Sequence, residues 1–147
     1  MKKQLVLIIL SICALVACRK DDPYETEKAA RDKYLVDNNI TVEPTSSGLY
    51  YVEILKGTGP DADAGDQVRV RYKGMFLDGT QFDSGIFEFI LGLHQVISGW
   101  DEGINYMKEG GKARLIIPSD LAYGPYGYGS IPGYTTLVFD VELISVN

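Results

Sequence analysis

The feature that most limits the fold is an alternation that begins at Gly48. In Gln67-Val68-Arg69-Val70-Arg71-Tyr72-Lys73-Gly74-Met75-Phe76 polar and apolar residues take turns. That is the pattern of a half-buried strand, with Val68, Val70 and Tyr72 facing inward. Residues 49–55, 112–118 and 135–144 read as further strands, residues 80–83 as extended chain and residues 87–91 as a separate short strand. Asp78-Gly79 signals a tight turn between neighbours. Only residues 100–107 read as a helix in this region, with Trp100, Ile104 and Met107 at spacings of four and three and Gly110-Gly111 as the stop. Residues 123–134 form a loop rich in Gly and Tyr. A sheet with one apolar face needs a cover, so the expectation is an α+β fold, an antiparallel sheet under one short helix. At 147 residues the chain has room for one domain and a small appendage.

The appendage is N-terminal. Lys2 and Lys3 precede an apolar run over residues 5–16, which is short of the roughly 20 residues a membrane-spanning helix needs. The run ends at Leu15-Val16-Ala17-Cys18, which resembles a bacterial lipobox: small residues fit the signal peptidase, and the thiol accepts the lipid. Residues 1–17 are expected to be a lipoprotein signal peptide and Cys18 the lipidated residue. Removing Lys2 and Lys3 from the 14 Lys and Arg leaves 12 against 20 acidic side chains, a net −8, and no free thiol remains. Arg19-Lys20-Asp21-Asp22 resembles the signal that follows the lipidated cysteine in surface lipoproteins of the Bacteroidetes group. The expected location is the cell envelope, anchored to the outer membrane on either face. Residues 23–38 read as a charged helix with Pro23 in its first turn and Glu25 and Glu27 near its positive end. Its apolar stripe, Ala30 and Tyr34, is thin, so residues 18–44 are expected to be a linker and helical stalk. With so short an arm, a monomer is favoured over a helix-driven dimer.

Composition removes several function classes. The acidic balance disfavours nucleic acid, which rewards clustered Lys and Arg. Both cysteines lie within the first 18 residues and His94 is the single histidine, so a zinc site of imidazoles and thiolates lacks ligands. His94 has no catalytic partner in sequence and reads as a surface residue. No metal or cofactor is expected.

Five segments in order carry a resemblance: Val70-Arg71-Tyr72-Lys73-Gly74, Asp78-Gly79-Thr80-Gln81-Phe82-Asp83-Ser84, Val96-Ile97-Ser98-Gly99-Trp100, Tyr123-Gly124, and Thr136-Leu137-Val138-Phe139-Asp140-Val141-Glu142-Leu143. Together they are similar to the FK506-binding-protein (FKBP) type of peptidyl-prolyl cis–trans isomerase, over residues 45–147. The resemblance implies a strongly bent antiparallel sheet of about five strands wrapped around one short helix. It also implies an activity, rotation about X–Pro bonds in proline-containing polypeptides, that assists the folding of envelope proteins. FK506- or rapamycin-type macrolides are the implied inhibitors. Trp100 would be the pocket floor and Tyr72, Phe82, Val96, Ile97 and Phe139 its walls. The N–H of Ile97 and the hydroxyl of Tyr123 would each hold a substrate carbonyl. Asp83 would sit at the rim and orient Tyr72, while Phe87, Tyr128 and Ile131 would complete the substrate-binding surface.

The residues themselves suit such a reaction. The set is aromatic and aliphatic, with Asp83 as its one carboxylate and no Ser-His-Asp arrangement, nucleophilic cysteine or phosphate loop. Prolyl isomerisation breaks no covalent bond, and its barrier of roughly 20 kcal/mol comes from amide resonance. Two departures from the family pattern stand out. The segment after Asp83-Ser84 is several residues short and lacks the arginine that often pairs with the pocket aspartate, which predicts a more open rim. The loop around Tyr126 to Ile131 is one residue short. A competing reading is an FKBP-like module that has lost turnover and keeps a binding or chaperone role. If the enzyme reading holds, the apolar walls predict a preference for Leu, Phe or Met before proline.

Overall fold

A computed structural model describes residues 22–147. The signal peptide and Cys18 expected from the sequence lie outside the described residues. The alternating segment forms β2 (Gln67–Met75), with Val68 and Val70 fully buried and Arg69 and Arg71 exposed. Its neighbours are β1 (Tyr50–Leu55), β3 (Gln81–Ile90), β4 (Lys112–Ile117) and β5 (Leu137–Val146). All pairings are antiparallel and the order across the sheet is β1-β4-β5-β2-β3. The central strand is therefore the last one in the chain, and the sheet closes only through contacts distant in sequence. The five-stranded antiparallel α+β architecture expected from the sequence is the one observed.

One expectation is corrected at β3. Residues 81–83 and 87–90 are not in two segments but in one strand, because Ser84, Gly85 and Ile86 pair with Lys73, Tyr72 and Arg71 of β2. The chain runs through Ser84-Gly85-Ile86 without leaving the sheet. A single irregularity remains. Gly74 pairs with Asp83 and Met75 with Gln81, leaving Phe82 as the extra residue of a bulge. The β2–β3 turn closes with Phe76 and Thr80 joined by N–H···O=C at 2.9 Å, and Gly79 takes the positive φ of 86° that this turn requires.

The sheet carries apolar residues on both faces. On one, Leu115, Ile117, Leu137, Phe139, Val141 and Leu143 pack against α2 (Ser98–Asn105), which contributes Trp100 and Ile104. Each fully buried aliphatic side chain here is worth about 1.5–3 kcal/mol. The helix lies close because Gly99 and Gly103 face the strand. A Cβ on Gly99 would meet Ile117 Cγ2 at 2.5 Å, and one on Gly103 would meet Leu115 Cδ2 at 2.7 Å. On the other face, Met75, Ile116 and Val138 form a smaller cluster covered by Tyr34, Ile40 and Leu77.

Tyr34 belongs to α1 (Pro23–Asp37), which starts where the sequence predicts, with Pro23 in its first turn and the Asp22 side chain accepting from the Tyr24 N–H. The helix packs against the domain. Its least exposed side chains are Glu27, Arg31, Asp32, Tyr34 and Leu35; of the Ala30–Tyr34 stripe only Tyr34 turns inward, and Glu27 is its buried residue. An apolar criterion is incomplete here because the deepest docking contact, Glu27, is a charged side chain.

Candidate active site

The start of α2 and the adjoining sheet enclose a cleft of ≈ 230 Å³ lined by Tyr72, Phe82, Asp83, Phe87, Gln95, Val96, Ile97, Trp100, Tyr123 and Phe139. A larger groove of ≈ 680 Å³ runs along α1, but the aromatic side chains converge on the smaller one. Trp100 is 5% exposed and is boxed by rings. Tyr72 stands edge-on to it at 5.1 Å and 73°, Phe139 at 5.3 Å and 85°, and Phe82 is edge-on to Phe139 at 5.6 Å. Edge-to-face contacts of this kind fix ring orientation as well as burying area. The indole N–H of Trp100 is buried and has no hydrogen-bond partner among the described residues.

The bulge at Phe82 explains how two consecutive residues serve one cleft. On a regular strand Phe82 and Asp83 would point to opposite faces; the extra residue re-aims one of them, and both line the cleft. Gly74, opposite, leaves the space for the rings, since a Cβ there would lie 2.7 Å from Phe82 Cζ and 2.8 Å from Phe139 Cε1.

Polar groups are few and placed at the rim. The Tyr72 hydroxyl donates to Asp83 Oδ2 at 2.9 Å, and Asp83 Oδ1 accepts from the Ser84 N–H at 2.8 Å. Asp83 is thus held by the phenol and by its own strand. Burial first, and then the hydrogen bond to Asp83, push the Tyr72 phenol above its ordinary value, so it remains a donor. The Tyr123 phenol is likewise raised, mainly by burial and next by its neighbour Tyr128. Neither the Tyr123 hydroxyl nor the Ile97 N–H finds an acceptor among the described residues. Ile97 is the N-cap of α2, at φ −60° and ψ 146°, where a helix leaves its first donors unpaired.

Nine of the eleven cleft residues named from the sequence line it; Tyr128 and Ile131 do not. These two close a tight hairpin by exchanging backbone hydrogen bonds of 2.9 Å. The turn sends Ile131 into the core at 8% exposure and leaves Tyr128 71% exposed, stacked on Tyr123 at 5.3 Å. Tyr128 therefore touches the site through Tyr123. Two residues escaped sequence reasoning. Gln95 lines the cleft while its Oε1 accepts the Ile90 N–H at 3.0 Å, and a lone glutamine in a glycine-containing loop gives no signal. Asp101, in the first turn of α2, accepts from the Gly92 and His94 N–H groups at 2.9 and 3.0 Å and so fixes the loop that leads to Ile97. An acid in the first helical turn was the available clue. His94 itself is exposed, with Nδ1 3.6 Å from Asp101 Oδ2. Among the described residues no group of three His, Cys, Asp or Glu side chains is placed to hold a metal ion.

Comparison with known proteins places the chain in a family. The family model described as FKBP-type peptidyl-prolyl cis-trans isomerase matches residues 59–144. An FK506-binding protein of Neisseria meningitidis serogroup B is 45% identical over 105 residues, covering 67% of this chain and 96% of its own length. The FKBP-type peptidyl-prolyl cis-trans isomerase FkpA of Aeromonas hydrophila is 43% identical over 130 residues; they cover 85% of this chain, which spans about half, 48%, of that longer relative. A crystal structure of a peptidyl-prolyl cis-trans isomerase from Pseudomonas syringae pv. tomato superimposes with a TM-score of 0.73 at 41% identity, covering 86% of this chain and 98% of that one. The family model and these relatives show that the chain belongs to the FKBP-type peptidyl-prolyl cis-trans isomerase family.

Proposed function

We propose that the domain catalyses cis–trans isomerisation of X–Pro bonds, with the proline ring seated on Trp100. The observation that carries this reading is a rigid aromatic cleft whose free donors, the Ile97 N–H and the Tyr123 hydroxyl, stand at its rim. A planar amide is more dipolar than a twisted one, so water favours the ground state. Moving the bond into an apolar, preorganised cleft lowers the barrier. A hundred- to ten-thousandfold acceleration requires only about 3–6 kcal/mol. Tyr72, Phe82, Val96, Ile97 and Phe139 wall the cleft, and Phe87 extends it toward the residue before proline. Asp83 orients the Tyr72 hydroxyl and biases the field at the rotating carbonyl. Each role rests on binding and orientation, without covalent chemistry.

The test is protease-coupled or NMR-exchange kinetics on a Leu-Pro peptide with and without FK506. Acceleration that FK506 abolishes supports the reading. A folded protein without acceleration sinks it in favour of a binding module. A preference for Glu before proline over Leu, Phe or Met would overturn the predicted apolar specificity.

Cellular placement is a separate part of the proposal. Leu15-Val16-Ala17-Cys18 supports lipidation at Cys18, and Arg19-Lys20-Asp21-Asp22, as in lipoproteins of the Bacteroidetes type, supports attachment to the outer membrane; the short arm favours a monomer. The clients would then be envelope polypeptides. Metabolic labelling with palmitate, followed by membrane fractionation, tests it. A Cys18→Ser variant that still labels and still sediments with membranes refutes it.

A further inference from the structure

Glu27 lies outside the segment matched by the family model and outside the cleft, yet it is 6% exposed. Its Oε1 accepts from the Ser119 N–H and the Thr136 hydroxyl, both at 2.7 Å, and its Oε2 accepts from the Ser119 hydroxyl at 2.6 Å. The Arg31 guanidinium lies near, with Nη1 3.8 Å from Glu27 Oε1 and 3.4 Å from Thr136 Oγ1. Burying a carboxylate is costly unless its lone pairs are satisfied, and here three donors replace water. The partners are not scattered. Ser119 follows the end of β4 and Thr136 precedes β5, so Glu27 grips both ends of the excursion that carries Tyr123.

The grip continues into the loop through the backbone. The Ser119 carbonyl accepts from the N–H groups of Ala122 and Gly124, at 2.9 and 2.8 Å, the two residues that flank Tyr123. The Tyr134 N–H closes the return by donating to the Gly124 carbonyl at 2.9 Å. A second contact from the same helix, Tyr24 edge-on to Tyr134 at 6.2 Å, bears on that return. The chain of contacts runs from α1 to the backbone on either side of Tyr123.

We propose that Glu27 is a positioning residue for the isomerase cleft: a carboxylate from the N-terminal helix that clamps Ser119 to Thr136 and thereby sets the place of the Tyr123 hydroxyl. The kinetic part of this inference rests on the isomerase reading above; the structural part does not. The helix is then a component of the site, and not a tether alone.

The experiment uses the full chain and compares wild type with Glu27→Ala, Glu27→Gln and, as an exposed control on the same helix, Glu25→Ala. Isomerase kinetics on the Leu-Pro peptide, with kcat and KM resolved, are measured beside amide hydrogen exchange. In Glu27→Ala, kcat/KM is expected to fall by about tenfold, the scale of a misplaced binding group. Exchange should accelerate at Ala122, Gly124 and Tyr134 while Leu115 and Val141 keep their protection. Glu27→Gln retains an acceptor oxygen and should recover most of both properties, and Glu25→Ala should match wild type. Wild-type kinetics in Glu27→Ala, or exchange that rises equally throughout the domain, overturns the proposal. If Glu27→Ala does not fold, Thr136→Val removes one side of the clamp and is read by the same two criteria. Should the wild type itself prove inactive, the isomerase reading fails, and exchange at Ala122, Gly124 and Tyr134 alone decides whether the clamp exists.

Discussion

The two helices pack on opposite faces of one sheet by opposite means. The α2 helix presents Trp100 and Ile104 to a fully apolar wall, and two glycines let it lie close to β4. The α1 helix puts Tyr34 over a cluster of only three buried residues, and its deepest group is a carboxylate. The first contact is non-directional and scales with area. The second depends on three hydrogen bonds of defined direction, each of which fails if its partner is removed. The difference teaches how one sheet can be given both a stiff floor for a cleft and a docked segment that reports on the cleft's loop.

The largest test of this contrast is Trp100→Ala. Loss of the ring from a core contact should cost about 3–5 kcal/mol, read as a lower urea midpoint, and should remove isomerase activity even where the protein remains folded. Trp100→Leu, with a smaller stability cost, separates the two effects. Activity retained in a folded Trp100→Leu variant would mean that the floor is not needed. Next comes Glu27→Leu on the other face. It leaves the Ser119 N–H and two hydroxyls without their acceptor and should cost about 3 kcal/mol. A double-mutant cycle with Thr136→Val should return a coupling of about 1 kcal/mol. Additivity in that cycle would show that the polar contact is not what holds α1.

The same contrast explains what could be read from the sequence. Period two in β2 and the four-and-three spacing of Trp100, Ile104 and Met107 are consequences of apolar burial, so the α2 face was legible. The walls of the cleft were legible for the same reason, aided by the resemblance of their motifs. Glu27 was not, because an acid in a first helical turn has a sufficient local explanation in the helix dipole. Its real partners lie 92 and 109 residues away. Continuity of β3 was missed since Ser84-Gly85 reads as punctuation, whereas pairing with Lys73 and Tyr72 overrides local propensity. Tyr128 and Ile131 lie off the cleft because hairpin closure, which decides where they point, is set by backbone bonds that composition does not display.

A smaller effect is expected from Gly99→Ala. The added Cβ would press on Ile117 Cγ2, a branched side chain in a fully buried position. Helix propensity favours the substitution by about 1 kcal/mol, and overpacking opposes it by about 1–3 kcal/mol, for a modest net loss. Circular-dichroism melts give the sign. A stabilised variant would mean that α2 has slack against β4, contrary to the close approach described above.

The smallest expected effect is none, and it is diagnostic. Tyr72 donates to Asp83 only while protonated, and its pKa is displaced upward, above about 10. The folded state therefore holds this proton more firmly than the unfolded chain does. The associated stability is complete below the ordinary tyrosine value and is lost as pH rises through the elevated one. Isomerase activity should be level on the alkaline side of neutrality and fall only in strong alkali. Tyr72→Phe should abolish that fall where it arises from this phenol, while keeping the ring contact with Trp100. A decline beginning near pH 8 would place a titrating group other than Tyr72 in control of the cleft.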